Sequence, residues 1–201
     1  DVERSRGLGD VYKRQPQRYA EHHGVSRALA DAELQPLFTE HAGQLNWYCT
    51  DFWSRELKLS IKDLKREVAD LIALRPDADT FLAAIRQAGK QVVMITNAHR
   101  DSLSLKLERI ELAPYFDRMI SSHDYGYPKE DQQFWSALQQ DLAFEPTRSL
   151  FIDDNIPILR SAGRFGVKHL LAVYEPDSRK GVKDTEEFEA VRDYRDLLNG
   201  L

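Results

Sequence analysis

The chain has 201 residues, 42% of them hydrophobic and 30% charged, with a formal net charge of −5. That length suits one domain with an insertion or two small ones, and the composition is ordinary for a soluble globular protein. The acidic balance argues against a general nucleic-acid binder, and no apolar run approaches membrane-spanning length. A small phosphorylated substrate is not excluded, since it needs only a local positive site. The single cysteine, Cys49, rules out an internal disulfide framework and fits a reducing cytoplasm. Set among aromatics in Asn46-Trp47-Tyr48-Cys49, it reads as a packed thiol rather than a nucleophile.

Residues 1–15 have no apolar periodicity and are rich in Arg, Gly and Asp. They lack the apolar centre of a signal peptide. Gly7-Leu8-Gly9-Asp10-Val11-Tyr12-Lys13-Arg14-Gln15 resembles a translated sequencing-adapter scar, so 1–15 are expected to be foreign to the fold, with the native chain beginning upstream. Residues 16–75 read as an all-helical block, a cap beside the core. Tyr19, Val25, Leu29, Leu34, Leu37 and Phe38 fit one or two amphipathic helices, and Leu45, Tyr48, Cys49, Phe52, Trp53 and Leu57 fit another. Ser60 is positioned to cap a helix carrying Ile61, Leu64, Val68, Leu71 and Ile72.

Arg75-Pro76-Asp77 breaks this pattern, and 76–201 read as an α/β core. A helix over 78–88 ends at Gly89, followed by a buried strand over 91–95 that runs into Thr96-Asn97-Ala98-His99. A helix with Leu103, Leu105, Leu107 and Ile110 leads to a strand over 116–121, a loop at Gly126-Tyr127-Pro128-Lys129 and a helix over 131–142. Ser149-Leu150-Phe151-Ile152-Asp153-Asp154-Asn155 is a buried strand ending in two adjacent carboxylates. A helix to about Phe165 and a strand over 167–173 follow, and 184–201 read as a surface helix or partly ordered extension. Strands alternating with helices predict a doubly wound parallel sheet.

In such a sheet the C-terminal strand ends share one edge, where ligands bind. Thr96 and Asn97, Lys129, and Asp153 with Asp154 all fall at strand ends. A hydroxyl, an ammonium and a carboxylate pair suited to Mg²⁺ together suit a phosphoryl group. Taken singly, each has a structural reading: Asp153 ends a strand, Asp154 caps a helix, Lys129 is solvated.

Ile95-Thr96-Asn97, Lys129 and Phe151-Ile152-Asp153-Asp154-Asn155 resemble motifs two, three and four of the haloacid dehalogenase (HAD) superfamily. Leu45-Asn46-Trp47-Tyr48-Cys49, Thr96-Asn97-Ala98-His99 and Gly126-Tyr127-Pro128-Lys129-Glu130-Asp131-Gln132 are similar to the bacterial GMP/IMP nucleotidases, a 5′-nucleotidase branch. The resemblance implies a Rossmann-like HAD sheet with a helical cap and a Mg²⁺-dependent phosphomonoester hydrolase of the cytoplasm. Its partner would be a purine nucleoside monophosphate, not a nucleic acid or a membrane. Thr96 and Lys129 would be catalytic, and Thr96, Asn97 and Lys129 would bind substrate. Asp153 would ligate Mg²⁺, with Asp154 binding through water or orienting Lys129. Lys129 departs from the commoner Lys-Pro order, since Pro128 precedes it.

The resemblance also implies an aspartyl-phosphate intermediate on the first Asp of an Asp-x-Asp-Gly-Thr motif. That motif is absent: Asp77-Ala78-Asp79-Thr80 follows Arg75-Pro76 rather than an apolar strand, and Asp10 is followed by Val11-Tyr12. The expectation is a chain without its nucleophile, without its acid/base Asp and without the first, central strand, and therefore inactive as it stands. The alternatives are a phosphatase or phosphoglucomutase of the same superfamily with another substrate, a non-catalytic nucleotide-binding module, and a response-regulator receiver, where the acidic pair would come first.

Overall fold

The computed structural model describes residues 3–5, 8–75, 77–176 and 181–200, with backbone alone at 3–5, 8–14, 71, 199 and 200. Asp1, Val2, Arg6, Gly7, Pro76 and Leu201, which the sequence reading used, lie outside the described residues.

Helices dominate the first third. They are α1 (Leu8–His23), α2 (Arg27–His41), α3 (Leu45–Tyr48), α4 (Thr50–Leu57) and α5 (Ile61–Arg66). The starts of α2 and α5 follow from local chemistry. The Ser26 hydroxyl accepts the Leu29 N–H at 3.2 Å and the Ser60 hydroxyl accepts that of Asp63 at 3.3 Å, each satisfying a donor that no helical carbonyl reaches. Leu34, Trp53, Leu57 and Ile61 form the centre of this block, with Tyr19, Phe38, Trp47 and Phe52 around them. Trp53 is 2% exposed, and its indole N–H donates to the Trp47 carbonyl at 2.9 Å. Rings of Phe38, Phe52, His41 and Trp47 meet it edge-on, so Trp53 is a packing residue.

Two differences from the sequence reading occur here. The helix over 61–72 stops at Arg66, and after a 3₁₀ turn Ile72–Leu74 forms a short strand, β2, antiparallel to β1 (Glu3–Ser5). The block is therefore not all-helical: pairing with β1 overrides the helical spacing of its β-branched end. Residues 8–15, which the sequence reading set aside from the fold, form the first half of α1.

The α/β part comprises α6 (Ala78–Gln87), β3 (Val93–Thr96), α7 (Arg100–Arg109), β4 (Arg118–Ser121), α8 (Gln132–Leu142), β5 (Leu150–Asp153), α9 (Ile156–Phe165), β6 (His169–Val173) and β7 (Glu189–Val191). β3 pairs with β4 in parallel, and β5, β6 and β7 form a second parallel group in that order. β3 and β5 are not paired with each other. Their side chains nevertheless share two layers. Met94 and Ile152 pack into one cluster, with Phe81, Leu82, Val173 and Val191. Val93, Ile95 and Phe151 pack into the other, with Phe134, Trp135, Leu138 and Ile158. Alternation along a strand sends successive residues to opposite faces, so the two groups lie side by side with their faces aligned.

The tail also differs from expectation. Residues 184–200 are neither a surface helix nor a loose extension: they supply β7 and a 3₁₀ turn, while Leu201 lies outside the described residues. Val191 and Tyr194 are buried, and Tyr194 stacks on Phe81 with 5.2 Å between ring centroids. The tail's many charges hid the two apolar positions that hold it. Replacing a buried aromatic of this kind leaves a cavity and costs about 3 kcal/mol. Tyr194→Ala should lower unfolding stability in urea by that order; a loss below about 0.5 kcal/mol, the level of a surface substitution, would mean the tail is not part of the core.

Candidate active site

The site is built where β3, β4 and β5 end. Asp153, the last residue of β5, is 4% exposed, and Lys129, in the loop between β4 and α8, is 6% exposed. Lys129 Nζ donates to Asp153 Oδ2 at 2.5 Å. The other carboxylate oxygen accepts the Asn155 N–H at 2.9 Å. Burial alone would push the Asp153 carboxyl up, but the adjacent ammonium and these hydrogen bonds outweigh it and hold the group below its ordinary range. The pair is thus a buried ammonium–carboxylate, with the Phe151 ring 5.5 Å from Nζ.

Lys129 is held along its backbone as well. Its N–H donates to Asn97 Oδ1 at 2.9 Å, and its carbonyl accepts the Trp135 indole N–H at 2.8 Å. The next carbonyl, of Glu130, accepts the Ser161 hydroxyl at 2.9 Å. The Glu130 carboxylate accepts Asn97 Nδ2 at 2.9 Å and the Tyr48 hydroxyl at 2.6 Å. Asn97 therefore ties the end of β3 to the Lys129 loop, and Lys129 ties that loop to the end of β5. Tyr48 brings the helical block to the same point. Thr96, one residue earlier, accepts the Ala98 N–H on its Oγ1 at 3.1 Å, which leaves the hydroxyl hydrogen able to donate elsewhere.

Of the residues singled out in the sequence, Asn97, Lys129 and Asp153 are joined directly, and Thr96 adjoins Asn97. Asp154 does not orient Lys129; Asp153 does. The Asp154 backbone carbonyl accepts Lys183 Nζ at 2.5 Å, and the N-cap position of α9 falls on Asn155, without a side-chain cap. Glu130 and Tyr48 stood inside motifs quoted from the sequence, whereas Trp135 and Ser161 were not singled out there as working parts.

For a divalent cation, Asp153 and Asp154 offer hard anionic oxygens with lone pairs beyond those already accepting hydrogen bonds. Oxygen donors of this kind fit Mg²⁺. A second cluster, Cys49, His99 and His123, adjoins the rim with nitrogen and sulfur donors. Burial, and then the neighbouring His99 ring, push His123 down to about 4 against smaller opposing pulls from the Asn97 backbone and Asp124.

With the site described, comparison with known proteins becomes informative. A profile of haloacid dehalogenase-like hydrolases matches residues 9–166, and the chain belongs to that family. It is 37% identical over 186 residues to the GMP/IMP nucleotidase YrfG of Escherichia coli (strain K12), covering 92% of this chain and 84% of that protein. Among solved structures, a HAD phosphatase from Thermococcus onnurineus superposes with a TM-score of 0.75 at 18% identity, over 94% of this chain and 88% of that one. A putative beta-phosphoglucomutase from Thermotoga maritima gives 0.67 at 16% identity, over 99% and 93%. These structural likenesses concern the fold: an α/β HAD architecture of parallel strands and helices.

Breaking the central pair should be costly because it strands a buried charge. Lys129→Met is expected to lower unfolding stability by about 3–5 kcal/mol, and adding Asp153→Leu to recover most of that loss. A single variant as stable as the parent in urea titrations would show that the two groups are not paired in a dry site.

Proposed function

We propose that this protein is built to hydrolyse purine nucleoside 5′-monophosphates, GMP and IMP, at the rim formed by Thr96, Asn97, Lys129 and Asp153. The observation that carries the reading is the buried Lys129–Asp153 pair, anchored through Asn97 to the end of β3. Membership of the hydrolase family supports the reaction class, and the likeness to the Escherichia coli nucleotidase supports the substrate.

Each residue has a chemical task. The Thr96 hydroxyl, with N–H groups at the start of α7, binds phosphoryl oxygens. Lys129 sets a fixed positive charge against the negative charge that grows during transfer. Asp153 and Asp154 would hold Mg²⁺, which when bound orients the phosphate and offsets its charge. The helical block, joined to the rim through Tyr48 and Glu130, sits where it can cover the leaving group and exclude water. No helix among the described residues is long and apolar enough to cross a membrane, and we place the activity in the cytoplasm.

The carboxylate that takes the phosphoryl group is not among these 201 residues, since no Asp-x-Asp-Gly-Thr string follows an apolar strand in them. We place it on a strand lying between β3 and β5, the two strands that are not paired with each other here. The chain as it stands binds nucleotide without turnover, and for it alone the missing motif favours the non-catalytic reading.

The test compares the 201-residue chain with one in which an apolar strand and Asp-x-Asp-Gly-Thr precede Pro16 in place of residues 1–15. Phosphate release is measured with Mg²⁺ from GMP, IMP, AMP and sugar phosphates. The expected result is no turnover from the first chain. The second should act on GMP and IMP in preference to the others, and fall about 10²–10³-fold on Lys129→Met. Hydrolysis of GMP by the 201-residue chain would overturn the placement of the nucleophile. Equal rates on all esters would overturn the substrate.

A further inference from the structure

Cys49, His99 and His123 come from three different segments. Cys49 is the joint between α3 and α4, His99 precedes α7 two residues after Asn97, and His123 lies in the turn after β4. One ligand atom from each lies within 4.8 Å of the others, and all three side chains are only partly buried. We propose that these residues form a Zn²⁺ site, separate from the oxygen donors Asp153 and Asp154, that clasps the helical block to the rim of the sheet.

The donor chemistry selects the metal. One thiolate and two imidazoles suit Zn²⁺ and suit Mg²⁺ poorly. Tetrahedral Zn²⁺ with bonds of about 2.0–2.3 Å needs ligand atoms about 3.3–3.6 Å apart, so the cluster has to close by at most about 1.5 Å. His123 Nε2 is buried and has no hydrogen-bond partner, a costly state that a metal bond relieves. Thr50 Oγ1 lies 2.8 Å from His99 Nδ1, which also accepts the Asp101 N–H at 3.4 Å; metal binding through Nε2 requires the ring proton on Nδ1, donated to Thr50 Oγ1 in place of that weak bond. The rings of His99 and His123 meet edge-on at 4.9 Å between centroids. The exposed carboxylate of Asp51 lies 3.8 Å from His99 Nε2, outside the three-residue cluster, so the fourth position falls to water. The Cys49 sulfur now accepts the Phe52 N–H at 3.4 Å, a weak bond that a metal-bound thiolate can keep. Binding releases the thiol proton to solvent.

The experiment uses the metal-free 201-residue chain, titrated with Zn²⁺ and, as a coloured substitute, Co²⁺. One metal per chain, a thiolate-to-Co²⁺ charge-transfer band displaced by Zn²⁺, and a thermal midpoint raised by Zn²⁺ but not by an equal concentration of Mg²⁺ are expected. Cys49→Ser should abolish the band, and His123→Gln should weaken Zn²⁺ binding at least tenfold. Asp154→Asn should leave both intact. Circular dichroism of each metal-free variant shows that it is folded, and His99→Gln serves as a second imidazole variant should His123→Gln not fold. Absence of the band in the parent chain, or Zn²⁺ affinity unchanged in folded Cys49→Ser and in the folded imidazole variant, would overturn the site.

Discussion

A buried ammonium and a buried carboxylate 2.5 Å apart set the terms for the rest of this molecule. Neither charge is tolerable alone in so dry a place, and their mutual attraction repays the lost hydration only if geometry is kept tight. The surroundings keep it tight. The Lys129 N–H is taken by Asn97, its carbonyl by Trp135, the following carbonyl by Ser161, and the second Asp153 oxygen by the Asn155 N–H. Trp135 and Ser161 are themselves fully packed, so the lysine is pre-placed by rigid elements rather than by a mobile loop.

The same contacts explain how separate pieces of chain act together. β3 and β5 exchange no ladder bonds, yet their ends are connected through Asn97, Lys129 and Asp153, and their faces through shared apolar layers. Glu130 extends the connection to Tyr48 in the helical block. A carboxylate that receives both an amide and a phenol hydroxyl is an ordered joint, and it lies next to the residue that would meet a phosphate. The helical block and Lys129 are therefore linked through adjacent residues.

Much of this was readable in the amino-acid order, for physical reasons. The run Leu150-Phe151-Ile152 before two acids marks a strand end, Ser60 marks a helix start, and Gly89 at φ +68 follows the end of α6 because other residues resist that backbone conformation. Thr96, Asn97, Lys129 and Asp153 were each visible as polar residues at strand ends. What escaped was long-range. The strand at Ile72–Leu74 exists through its pairing with β1, which helical spacing cannot register. The tail was masked by its charges, although Val191 and Tyr194 decide its place. The clamps on Lys129 are backbone carbonyls and an indole N–H brought together by tertiary packing. The meeting of Cys49, His99 and His123 is likewise a property of the folded chain, since 50 residues separate the first pair and 24 the second.

We propose that Thr96 and Lys129 address one phosphate beside Asp153. A crystal structure of the 201-residue chain grown with Mg²⁺ and orthophosphate tests it most directly. The account predicts a single anion with oxygens within about 3.2 Å of both Thr96 Oγ1 and Lys129 Nζ, and the cation on Asp153. An anion bound elsewhere, or a Thr96 hydroxyl too distant from Lys129 for one phosphate to reach both, would contradict it.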